Sequence, residues 1–380
     1  MIASNRINDP CLGEEIIRNG EADMIAMARS LLADPYLPNK AGEGRTDRIY
    51  HCVACNQGCL DNIFQSRPVS CLVNPRAGME GEIEITSPVR TKKVLVIGGG
   101  LAGMKAACTA AERGHQVTLA ERSDQLGGQL LLNRNIPGRE EMVTAATDLI
   151  NNLKALDVDF ILRKAVDYQF IKETAPDAVV LATGARPFLP DIRGIENQKV
   201  VLAWDVLSEK SIVGKKVVIV GGNAVGLETA LYLANQGTIS PEVLHFLVAN
   251  RAETWDTMEQ LVSKGNKEIT VLEMMKKTGQ DIGKSTRWTV MAELSRLGVR
   301  VITGARAVEV SPEGVKIEKE DGDDLLPADS VVIAAGAKSE KGISREIRDL
   351  VSEIYTIGDA REPRSAFEAI KEGFITGLKI

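Results

Sequence analysis

Four cysteines fall within twenty residues, Cys52-x2-Cys55-x3-Cys59 and then Cys71. Thiols clustered in this way suit a metal or cluster site better than a disulfide framework in a reducing compartment. Tetrahedral sulfur ligation fits zinc or a four-iron cluster, and spacing alone leaves the two near even, because structural zinc usually shows paired CxxC knuckles. His51 borders the first cysteine and reads as a neighbour, since four thiolates already complete a ligand set. Cys11 and Cys108 lie on helical stretches and read as small buried hydrophobes.

A second chemistry is carried by glycines. The apolar run Val94-Leu95-Val96-Ile97 suits a buried parallel strand and enters Gly98-Gly99-Gly100-Leu101-Ala102-Gly103, then a helix through Arg113. Gly98 permits the tight turn, Gly100 lets the backbone approach a pyrophosphate, and Gly103 lets helix and strand pack closely. The helix start offers N–H groups and a positive dipole end to the phosphates. Strand 116–120 ends in Glu121, where a carboxylate can accept from ribose hydroxyls. Leu126-Gly127-Gly128-Gln129 supplies a second close approach. Ile357-Gly358-Asp359-Ala360 sets a carboxylate between an apolar strand and a helix at Ser365–Lys371, where it can bind a ribityl hydroxyl or simply cap the helix. Glu121, Gln129 and Asp359 together select FAD over NAD. An FAD fold directly after the cysteines tips their ligation toward a 4Fe-4S cluster, a one-electron carrier beside a two-electron donor.

The same grammar recurs at Val217-Val218-Ile219-Val220, followed by Gly221-Gly222-Asn223-Ala224-Val225-Gly226-Leu227-Glu228. Asn223 stands at the central glycine position, where its Cβ near the phosphate path weakens close approach; asparagine tolerates left-handed backbone geometry better than most residues, so binding need not be lost. Strand 270–272 ends in Glu273, which favours a free 2′-hydroxyl and hence NADH, while Lys276 and Lys277 keep NADPH open. The other reading of this unit is a fold that has lost its nucleotide and serves as scaffold.

These sites imply an α/β chain with two nested Rossmann-like FAD/NAD(P)-binding domains of the disulfide-reductase type. The expected order is a strand–helix–strand segment over 1–40, an irregular cysteine segment over 41–90 and the leading stretch of the FAD-binding domain over 91–205. NAD(P)H binding then occupies 206–335, with a helical insertion at 237–268, and the chain returns to complete the FAD-binding domain over 336–380. The net charge of −6 argues against nucleic-acid or anionic-membrane partners. No apolar run approaches the ~20 residues that span a bilayer, and residues 1–10 lack an apolar signal core, so a cytoplasmic location is expected.

The runs Asn5-Arg6-Ile7-Asn8-Asp9-Pro10, Ala28-Arg29-Ser30-Leu31-Leu32-Ala33-Asp34, Cys52 to Asp61 and Ser70 to Ala77 resemble the 2,4-dienoyl-CoA reductase family. More broadly the chain resembles the NADH:flavin oxidoreductase group that includes trimethylamine dehydrogenase. The resemblance implies an N-terminal (β/α)8 barrel carrying FMN, a four-iron cluster that relays electrons from FAD, and NAD(P)H as reductant. It makes Cys52, Cys55, Cys59 and Cys71 the cluster ligands. It matches Ala102, Glu121, Gln129, Arg139 and Val166 to FAD contacts, Arg6, Ala28 and Arg29 to FMN-phosphate positions, and the motif from Gly221 through Gly226 to Glu228 to the nicotinamide fold, with Asn223 the departure.

Residues 1–40 then correspond to the last two barrel strands, so FMN is not expected to bind stably to this chain alone. The expected activity is an NADH-dependent flavin/iron–sulfur oxidoreductase feeding an enoate-reductase-like site. The alternatives are an ADP-binding electron-transfer scaffold, an inactive truncated fragment, or a chain completed by a barrel-containing partner.

Overall fold

The computed structural model describes residues 1–344 and 346–380. The chain divides into two compact units: Met1–Arg134 with Glu141–Arg186 and Lys338–Ile380, and Asn135–Glu140 with Pro187–Ala337.

The first unit is built on a five-stranded parallel sheet in the order Glu353–Thr356, Ala178–Leu181, Lys93–Ile97, Gln116–Ala120, Asp159–Ile161. Its central strands are apolar along their length because a parallel sheet covered on both faces leaves no polar side. Val94, Leu95, Val96, Val179, Val180 and Leu181 are all buried. The helices Leu101–Glu112, Thr144–Ala155 and Ala366–Lys379 are packed into the core on one face, and Ile171, Ile347 and Val351 cover the other. Chain order reverses beside Lys93–Ile97, the place where open α/β sheets bind ligands.

Residues 1–42 carry short strands and helices, and 43–90 form little regular structure. Ile2–Ala3 and Met24–Ile25 pair in parallel, and Pro10–Arg18 is a helix started by Asp9, whose carboxylate accepts from Cys11 N at 2.8 Å. Met1, Ile2 and Met24 are exposed on this pair.

The second unit repeats the plan in the order Arg300–Thr303, Glu268–Glu273, Lys216–Val220, Ser330–Ile333, Val200–Leu202, and adds an antiparallel layer of Ala305–Val310, Gly314–Lys319 and Asp324–Pro327. Residues 187–205, expected with the first fold, group with the second, because Val200–Leu202 is its edge strand. Residues 135–140 likewise group with the second unit. The stretch 237–268 carries helices Pro241–Asn250 and Trp255–Ser263, both capped by hydroxyls. Among the described residues no helix is long and apolar enough to cross a membrane.

Candidate functional site

The first glycine turn is shaped by close backbone contact. Gly98 adopts φ 113°, and a Cβ there would lie 2.2 Å from Ala182 O. A Cβ on Gly103 would lie 2.0 Å from Gly98 O, so helix and strand touch through bare backbone. Gly100 differs: its φ of −77° suits any residue, and a Cβ there meets nothing within 4 Å. Open space at the helix start, with no side-chain cap on Leu101–Glu112, is the arrangement a pyrophosphate requires.

Glu121 closes one side, accepting from Gly99 N at 2.6 Å and Ser123 N at 2.8 Å. Gly127 N donates to Gly99 O at 2.8 Å and brings Gly128 against Gly100. From that loop Gln129 Nε2 donates to Asp359 Oδ2 at 3.1 Å. Asp359 Oδ1 accepts from Arg364 N at 3.1 Å, and burial pushes its carboxyl above the ordinary range. The carboxylate is therefore more than a cap on Ala366–Lys379; that helix has its own capping box, Ser365 with Glu368. Ala102 is buried on the helix, close to Gly358, and Val166 packs half-buried beside the opposite sheet face.

The four clustered cysteines line one small cavity, together with Arg29, Asn56, Gly58 and the apolar Leu32, Val53, Leu72 and Val73. Among the described residues no three His, Cys, Asp or Glu side chains converge closely enough to hold a single metal ion. Burial pushes the Cys55 thiol up to about 12 and Cys71 to about 11. Backbone N–H groups oppose this, that of Gln57 at Cys55 and those of Asn74 and Val73 at Cys71. His51 is turned to Asp148, which accepts from its backbone N at 2.7 Å and pairs with Nδ1 at 3.0 Å. This pairing raises the imidazole's pKa.

Arg6 forks onto Glu141 at 2.8 and 2.9 Å and donates to Cys52 O at 3.2 Å. Arg29 reaches Asn56 Oδ1 at 3.4 Å, and Ala28 opens the short helix Ala28–Ala33. Cys108 is fully buried, as its helix position suggested, whereas Cys11 is exposed on its helix and is no core residue.

In the second unit Gly221 repeats Gly98, with φ 112° and a Cβ that would lie 2.4 Å from Ala334 O. Gly226 repeats Gly103 at 1.9 Å from Gly221 O. Glu273 accepts from Gly222 N at 2.9 Å and Met275 N at 2.8 Å. Asn223 is not left-handed: its φ of −78° and ψ of −177° match Gly100, so conformational tolerance is not why it fits. It caps its helix instead, with Oδ1 accepting from Gly226 N at 3.0 Å and Nδ2 donating to Ala334 O at 2.7 Å.

One group and one pairing here escaped sequence reasoning. Asp281 accepts from Ala224 N with both carboxylate oxygens at 3.0 Å. Arg139, expected at the flavin, ion-pairs at 3.1 Å with Glu228, whose carboxyl is raised by burial and held down by that guanidinium. The two glycine turns are themselves the signal that would have found Asp281, because counting eight residues on from each acid reaches Gln129 and Asp281.

Residues 92–373 match the family model described as pyridine nucleotide-disulphide oxidoreductase. The chain belongs to this family. Residues 1–48 match a second model, the NADH:flavin oxidoreductase / NADH oxidase family. Among solved structures, a 2-naphthoyl-CoA reductase complex aligns with a TM-score of 0.88 and 33% identity, covering 100% of this chain and 54% of that one.

Among curated proteins, a metal reductase of Desulforamulus reducens is 44% identical, with 100% of this chain and 57% of the relative covered. A bilirubin reductase of Mediterraneibacter gnavus is 35% identical, with 97% and 53% covered. The chain is thus related to FAD- and NAD(P)H-dependent flavoproteins of the 2-naphthoyl-CoA reductase and trimethylamine dehydrogenase type. The chain spans about half the length of the curated relatives it matches.

Proposed function

We propose that the chain is the electron inlet of a flavin/iron–sulfur reductase, holding FAD on its first unit, NADH on its second and a 4Fe-4S cluster on Cys52, Cys55, Cys59 and Cys71. The observation that carries this reading is the meeting of Gln129 and Asp359 beside the open Gly100 turn, in the unit that also holds the thiol cavity. Gly100 and Gly103 would admit the pyrophosphate, Glu121 the ribose, and Gln129 with Asp359 the ribityl chain. Bound, the flavin would accept hydride and the cluster would carry single electrons onward.

The four thiols line one cavity in the segment directly before the FAD fold, and that adjacency to a two-electron donor favours a one-electron cluster over zinc. Backbone N–H groups aimed at sulfur stabilise thiolate charge, as cluster ligands need. The start of the last helix links the two sites, since a Cβ on Gly58 of the cysteine segment would lie 2.6 Å from Phe367 Cε2, eight residues beyond Asp359. The match of residues 1–48 supports delivery to an FMN-bearing barrel acting on an enoate-like substrate. Arg6, Ala28 and Arg29 are its phosphate-end candidates.

A second reading, an ADP-holding scaffold, is favoured by the side-chain cap that Asn223 places on the second helix. Anaerobic purification followed by denaturation separates the two. Released FAD with about four irons per chain supports the inlet; ADP without FAD supports the scaffold and defeats the inlet.

A further inference from the structure

The loops that follow the two acids run in register. Gly127 and Gly279 each lie six residues beyond the acid, and each donates its N–H to the second glycine's carbonyl, Gly99 O at 2.8 Å and Gly222 O at 2.7 Å. Eight residues beyond the acid stand Gln129 and Asp281. Gln129 turns to Asp359, and its fold's glycine-led helix has no side-chain cap. Asp281 turns onto the helix: both its oxygens accept from Ala224 N at 3.0 Å, and Ala224 follows Asn223 as Leu101 follows Gly100.

The Ala224 N–H lies at the end of the helix that meets a dinucleotide's pyrophosphate in this fold. Asn223 Oδ1 holds a second donor there, Gly226 N. The phosphate end of the second fold is thus engaged by the chain's own oxygens, one pair of them anionic. Asp281 and a pyrophosphate carry the same sign and want the same donor, so they exclude each other. Asp281 is exposed, so its carboxylate can swing into water at little cost, whereas Asn223 is tethered at both ends of its amide.

We propose that Asp281 is a displaceable latch, standing in for the dinucleotide pyrophosphate until the nucleotide evicts it. This rests on the reading of the second unit as the NADH fold. The latch sets affinity: the chain binds nucleotide more weakly than its open glycine turn would allow.

The test is isothermal titration of the full chain and of D281A and D281N with NAD+ and with ADP-ribose. D281A is expected to bind both about tenfold more tightly than the native chain, the scale of one charge-assisted hydrogen bond. D281N, which keeps the shape without the charge, is expected to tighten in the same direction and carries the test if D281A does not fold. Equal affinity in all three chains, or weaker binding by the variants, overturns the latch and leaves the NADH reading standing. Binding by none of them to either ligand defeats the NADH reading, and the latch with it.

Discussion

Gln129 and Asp359 are 230 residues apart in the chain, yet Gln129 Nε2 donates to Asp359 Oδ2 at 3.1 Å. The contact joins the loop after the acidic strand to the start of the last helix, and brings together two polar groups with free hydrogen-bonding capacity beside an open glycine turn. A half-buried carboxylate with a raised pKa seeks donors, and a polyhydroxyl chain supplies them.

Asp359→Ala and Gln129→Ala are therefore expected to lose FAD while keeping the fold. Each should weaken flavin binding by roughly tenfold or more, the effect of one hydrogen bond involving a charged group. Flavin content after purification, with circular dichroism for the fold, checks this. Stoichiometric FAD in both variants would refute the assignment.

Gly100 and Gly103 make a contrasting pair. Gly100→Ala places its methyl in open space with an ordinary φ, so the apo protein should melt at the native temperature but bind FAD poorly. Gly103→Ala forces a carbon to 2.0 Å from Gly98 O and should cost upwards of about 1–3 kcal/mol, or abolish folding. Melting curves of flavin-free protein separate the two; equal melting temperatures would contradict this packing.

Arg139→Met leaves the Glu228 carboxylate largely buried without its partner, at a cost of about 3–5 kcal/mol. Adding Glu228→Gln should recover some of that loss. Urea unfolding of the single and double variants measures it, and a single variant as stable as the native chain would show the pair to be idle.

How much of this was legible beforehand varies by residue. The strands Lys93–Ile97 and Lys216–Val220 were plain because a doubly covered parallel strand must be apolar throughout. The roles of Gly98 and Gly103 followed from their spacing. Asn223 stood out as a departure from the central glycine, but its work as a helix cap did not, because its one-letter identity suggests left-handed tolerance and the backbone there is extended. The pairing of Arg139 with Glu228 was hidden because the two lie far apart along the chain, and the grouping of 135–140 with the second unit has no compositional mark. Cys11 looked like core because helical position says nothing of which face is covered.

Lys92 binds the last strand and the C-terminus to the first strand's approach, donating to Glu353 at 2.7 and 2.9 Å and to Ile380 O at 2.6 Å. The Lys92 ammonium, with the Tyr355 hydroxyl, holds the Glu353 carboxyl below its ordinary 4.5. A depressed folded pKa means the contribution is complete above the unfolded value and is lost as pH falls through the folded one. The pair is partly exposed, so it is worth no more than about 1 kcal/mol. Glu353→Gln should lower the melting temperature by a few degrees at neutral pH, with the difference closing below about pH 4. A difference that persists unchanged in acid would rule out the ion pair as its source.

The most direct test is an anaerobic titration of the purified chain, carrying FAD and iron, with NADH. Flavin absorbance should bleach on substoichiometric to equimolar NADH, and a paramagnetic iron–sulfur signal should follow. If dithionite bleaches both centres while NADH bleaches neither, the chain is not an NADH-driven electron inlet.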